Sequence, residues 1–90
     1  MIMARTLAGH DKGKLYYVLE EDEKSAVLVN GTTRKLANPK TKSIKHLQPI
    51  KKLPAKVEEE RSEIRTLTDE RIAHLIKTYE GMISHEEEEN

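Results

Sequence analysis

The sequence has no cysteine, no phenylalanine and no tryptophan, and its aromatic side chains are Tyr16, Tyr17 and Tyr79 alone. Without cysteine, disulfide staples and thiolate metal sites are excluded, and the chain suits a reducing compartment such as the cytoplasm. With three tyrosines, the aromatic-lined grooves that hold proline-rich peptides or methylated side chains are hard to assemble. No apolar run approaches the roughly 20 residues of a membrane span, and the first residues lack the apolar core of a signal peptide. A cytoplasmic location with no membrane partner is therefore expected. A further absence is local: between Lys24 and Val57 there is no acidic residue at all.

What is present is charge, and it is segregated. The formal net charge is zero, from 16 Lys and Arg and 16 Asp and Glu. Met1 to Val57 holds 12 of those cations against 5 acids, a balance of +7, and Glu58 to Asn90 holds 4 against 11, a balance of −7. A cationic half of this kind suits a polyanion, while an acidic half screens it or serves a second surface.

The basic half reads as short strands joined by turns, with a small barrel as its simplest architecture. Met3 to Ala8 is the first and weakest. Lys14 to Glu21 is the clearest, rich in strand formers. Ser25 to Asn30 ends at the turn dipeptide Asn30-Gly31. Thr32 to Leu36 then returns as a short strand until Asn38-Pro39 breaks it. Lys42 to Ile50 supplies the last strand, and Pro49 restricts it to an edge or an end. The expected organisation is thus a β-barrel over residues 1–53, a linker over 54–67, an amphipathic helix over 68–83 and a disordered acidic tail over 84–90. For the helix, Thr68 is the N-cap, Asp69 and Glu70 suit the first turn, and Leu67 with Ile72 forms a hydrophobic staple. Ile72, Leu75, Ile76, Tyr79 and Ile83 recur at helical spacing. That face packs on the barrel, or docks on a ribosomal or assembly protein or a second copy. Gly81 marks the expected stop.

The stretch "AGHDKGK", Ala8 to Lys14, brackets a His-Asp-Lys triplet with Gly9 and Gly13. A nucleotide-binding P-loop needs four residues before its Gly-Lys pair, then Ser or Thr, then a helix. Here three residues intervene, Leu15 follows Lys14, and the next element reads as a strand. A hairpin fits better. Its glycines permit a sharp return, Asp11 suits an Asx-type turn, and the tip offers backbone N–H groups together with lysines, which suits phosphate oxygens.

From Arg5 to Leu19, this loop and the following "LYYVL" resemble the KOW motif of several ribosomal proteins and of transcription elongation factors of the NusG type. Gly13 matches the motif glycine, and Leu15, Val18 and Leu19 match the apolar positions after it. Through "NPKTKSIKHLQPI" the chain is similar to small bacterial KOW-domain RNA-binding proteins related to the fourteen-e family of large-subunit ribosomal proteins. The resemblance covers about Ala4 to Ile50 and omits the acidic end. It implies an SH3-like β-barrel that binds RNA, most often ribosomal RNA, with Lys12 and Lys14 beside Gly13 as phosphate contacts.

Read without the resemblance, Lys12, Lys14, Arg34, Lys35, Lys40, Lys42, Lys45, Lys51 and Lys52 are cations in or beside turns, and a small barrel gathers its loops at its ends. Lysine acts as a point charge on phosphate, whereas arginine reads guanine bidentately, so recognition by backbone and shape is expected. His10, exposed by the loop, and His46 join the candidate RNA contacts. Tyr16 and Tyr17 point to opposite sheet faces. No nucleophile is paired with a base, no carboxylate pair is fixed on a scaffold, and the histidines lack metal spacing. The expectation is a non-enzyme with no cofactor or metal, binding ribosomal RNA in ribosome biogenesis or translation. The competing expectation is an SH3- or Tudor-like adaptor of the translation or transcription machinery.

Overall fold

Five short strands are followed by two helices, and of the strands those over Leu15–Glu21 and Ser25–Val29 carry the densest apolar and β-branched runs. The computed structural model describes residues 1–89. In chain order these are β1 (Met3–Thr6), β2 (Leu15–Glu21), β3 (Ser25–Val29), β4 (Lys40–Ser43), a 3₁₀ turn (Ile44–His46), β5 (Leu47–Ile50), α1 (Ala55–Glu63) and α2 (Asp69–Glu89). The strands form one antiparallel sheet in the order β4-β3-β2-β1-β5.

β2 belongs to two halves of this sheet. Its first residues, Leu15 to Tyr17, pair with β1, and Tyr17 to Glu21 pair with β3. The register shifts between Val18 and Glu20, a bulge of the kind that bends a strand and lets a sheet turn a corner. The two outermost strands, β4 and β5, are joined by nothing longer than the 3₁₀ turn. That turn is held on both sides: the Ile44 N–H donates to the Lys24 carbonyl and the Leu7 N–H donates to the His46 carbonyl, each at 2.9 Å. The sheet is therefore strongly curled, although no ladder joins β4 to β5 and it is not closed. Pro49 lies in the edge strand β5, opposite Ala4, where a missing N–H is tolerated.

Each face of the sheet has its own core. On one face Ala4, Tyr16, Val18, Ala26, Leu28 and Leu47 bury one another beneath the curl. On the other, Met3, Leu15 and Val29 pack against Leu53, Val57 of α1 and Ile72, Leu75 and Ile76 of α2. Ile72, Leu75 and Ile76 of α2 are thus covered by the chain's own sheet and α1, with Tyr79 packed beside them, while Ile83 lies outside this core. The start of α2 follows from local chemistry: the Arg71 N–H donates to the Thr68 hydroxyl at 3.2 Å, and Leu67 and Ile72 join the same core as a staple would.

Where a β-barrel was expected over residues 1–53, the sheet is curled but not closed, and the structure departs from the sequence reading in four further places along the chain. Thr32 to Leu36 is not a strand. The Asn30 carboxamide oxygen accepts from the N–H groups of Thr32 and Arg34, at 3.0 and 2.8 Å, which closes a loop instead. The fourth strand is Lys40–Ser43, so the run expected as one strand from Lys42 to Ile50 is divided by the 3₁₀ turn. The segment read as a linker carries α1, because Val57 and the preceding Leu53 reach the core. Finally, α2 does not stop at Gly81 and the backbone is helical to Glu89, where a disordered tail was expected. Gly81 does not adopt the positive φ of a helix stop, and the glutamates beyond it are good helix formers. Asn90 lies outside the described residues.

Candidate nucleic-acid interface

The loop between β1 and β2 is rigidly built. Gly9 and Gly13 have φ of +83° and +87°, a region that other residues enter only with strain. The Gly13 N–H donates to the Thr6 carbonyl at 2.7 Å, Lys12 N–H to Gly9 at 3.1 Å and Lys14 N–H to Asp11 at 2.9 Å. The Thr6 hydroxyl donates to the Asp11 carbonyl, and the Arg5 guanidinium caps the Gly13 carbonyl at 2.7 Å. The amide donors of residues 12–14, expected to face a phosphate, are thus occupied inside the loop. Its outward offer is side-chain charge.

Asp11 is not an Asx-turn residue either. Its carboxylate accepts from the Tyr16 hydroxyl at 3.1 Å, pairs with the Lys40 ammonium, and lies 3.6 Å from that of Lys14. The bond from Lys40, then that from Tyr16, pulls its pKa from 3.8 to about 2. Burial, then the bond to Asp11, pushes the Tyr16 hydroxyl up, and the Arg34 charge opposes that shift. The Lys42 ammonium donates to the Ala8 carbonyl at 3.2 Å. Side chains of β4 thus clasp the loop across the gap that the sheet leaves unpaired.

The sequence candidates divide accordingly. His10, Lys12 and Lys14 are exposed on the loop, and Lys45 and His46 are exposed on the adjoining 3₁₀ turn. Lys40 and Lys42 are half-buried in the clasp, and Arg34 is half-buried with its charge acting on Tyr16. Lys35 is exposed on the 31–39 loop. That loop is pinned to the first turn of α2: the Leu36 N–H donates to Asp69 Oδ1 at 2.8 Å, and Gly31 lies so close that a Cβ there would stand 2.2 Å from the Asp69 carbonyl oxygen. Lys51 and Lys52 are not with the others. β5 begins opposite Thr6 and ends opposite Met3, which carries them about 10 Å along the sheet, away from the loop. Tyr16 is buried in one core, and Tyr17 and Tyr79 are half-buried against the other. Sequence reasoning missed the clasp: an acid among cations was visible, but not the lysine on a distant strand that answers it.

Among the described residues no three metal-ligating side chains form a group, and no helix is long and apolar enough to cross a membrane. Compared with protein-family models and with curated proteins, the chain matches none.

Proposed function

We propose that this chain is a non-catalytic RNA-binding protein that grips phosphates of ribosomal RNA in ribosome assembly or translation, in a reducing cytoplasm. In this reading the curled sheet is an SH3-like barrel of KOW type. One observation carries the proposal: Lys12 and Lys14 stand exposed on a glycine-bracketed loop, Lys45 stands exposed on the adjoining 3₁₀ turn, and Lys40 and Lys42 of β4 reach in to the loop's Asp11 carboxylate and Ala8 carbonyl. Preformed cationic surfaces of this sort neutralise phosphates and release their counterions. The dispersal of the three tyrosines between two cores weighs against an aromatic peptide groove and hence against the adaptor reading.

Two experiments test it. The chain is expected to crosslink to ribosomal RNA and to sediment with ribosomal subunits at low salt; recovery of the protein free of RNA under those conditions overturns the reading. For isolated RNA, a site neutralising about five phosphates gives a slope of log affinity against log salt of roughly −3 to −4.5. Replacing Lys12→Ala and Lys14→Ala together is expected to reduce that magnitude by about one to two and to weaken all RNAs alike. A wild-type slope in the double variant moves the site away from the loop. Selective loss of one RNA shows that the loop reads bases.

A further inference from the structure

Between the loop ends and α2 runs a groove of about 860 Å³. Lys14 contributes to one wall with Thr32 and Thr33, and Lys77 contributes to the other from α2. The buried side chains of Leu15 and Ile76 also line it. Lysines from two distant parts of the sequence therefore converge on one trough, although Lys77 belongs to the half whose acidic balance is expected to repel RNA. Glu80 also lines the groove; it disfavours a phosphate at its side but accepts a hydrogen bond from a ribose hydroxyl.

Gly81 lines the same trough from within α2. Glycine is among the poorest helix formers, and nothing among the described residues requires one here. Its φ is not positive, and among the described residues a Cβ placed on it meets no atom within 4 Å outside its own helix backbone. A bare backbone position on a groove wall suits the close approach of another molecule.

We propose that an RNA strand continues from the lysine loop into this groove, with Lys14 and Lys77 on successive phosphates and with Gly81 leaving the room it occupies. The inference rests on the RNA-binding reading above. It assigns α2 a binding role where charge balance alone assigns repulsion.

The test uses the full chain, with a labelled oligouridylate and a labelled RNA hairpin as probes, followed by fluorescence anisotropy over a range of salt. Lys77→Ala is expected to reduce the salt slope by about 0.7 to 0.9. Gly81→Ala is expected to raise the melting temperature, because alanine is the better helix former, and yet to weaken binding. Gly81→Leu is expected to weaken binding about fivefold or more with an unchanged circular-dichroism spectrum. A purely structural role for Gly81 would move stability and affinity in the same direction. Wild-type affinity and slope in both Lys77→Ala and Gly81→Leu, while the Lys12 and Lys14 double variant is weakened, overturns the groove assignment and leaves the RNA reading intact. Failure of the unaltered chain to bind either probe overturns both. Should Gly81→Leu also lower the melting temperature, the Lys77→Ala slope decides.

Discussion

Asp11 is the residue on which the candidate interface turns. It is the sole acid before Glu20, and it holds Tyr16, Lys40 and Lys14 to one carboxylate. Its lowered pKa carries a signed consequence for stability. A carboxyl whose folded value lies below its ordinary 3.8 stabilises the fold above that pH, and the contribution is lost as pH falls from 3.8 towards 2. Asp11→Asn is therefore expected to melt lower at neutral pH and to show a flatter decline through that acid window. Superimposable melting curves for the two proteins from pH 7 to pH 2 would mean that the clasp contributes nothing. Two glycines make a second contrast at this scale. Gly13 and Gly31 both have positive φ, so alanine at either carries backbone strain of about 1–2 kcal/mol. At Gly13 the added Cβ has open space, whereas at Gly31 it meets the Asp69 carbonyl oxygen and the Ala73 amide nitrogen. Urea unfolding is expected to rank Gly31→Ala well below Gly13→Ala; equal losses would mean that the loop yields freely from α2.

Among the elements, the helices and the sheet depend on each other. Met3, Leu15 and Val29 are buried beneath residues supplied largely by α1 and α2 and by the preceding Leu53. A chain ended at Lys52 exposes that face, and it is expected to lose cooperative unfolding and to bind hydrophobic dyes. A sharp thermal transition in that fragment would show the sheet to be self-sufficient. The same dependence explains what could be read from the sequence. The start of α2 was legible because a cap and a staple are local, written within Leu67 to Ile72. β2 and β3 were legible because apolar and β-branched residues crowd them. β4, with the sequence Lys-Thr-Lys-Ser, shows no apolar alternation because it is an edge strand whose inward lysines reach for a loop. α1 was hidden for a related reason: Val57 is its one buried side chain in a run of charges, and Pro54, which reads as a breaker, stands at its N-cap. The cations of the candidate interface were visible as residue types. Their partition between loop, clasp and the far end of β5 was not, because it depends on pairings across the whole sheet.

At the scale of the molecule, zero net charge conceals a two-sided object. The acidic helices cover one face of the sheet, and the lysine loop and β4 lie at its curled gap. Long-range repulsion from the helices is expected to temper RNA binding at low salt. Replacing the exposed Glu59 and Glu63 by glutamine is expected to tighten RNA binding at low salt, with the difference vanishing once the Debye length falls to about 3 Å near 1 M salt. An unchanged affinity at low salt would show that α1 faces away from the RNA path. The pairing of β1 with β5, Met3 against Ile50, has a consequence of another kind, for the order of events at birth. The first strand to be synthesised waits for the last, and the core it enters waits longer, for Ile72 to Ile76. At about 5–20 residues per second, several seconds separate the synthesis of Val29 from that of Ile76. Within that interval the acid-free stretch from Lys24 to Val57 is complete before any of its acidic counterweight, which begins at Glu58, exists. The nascent chain is thus most cationic while it is still tethered to the translating ribosome.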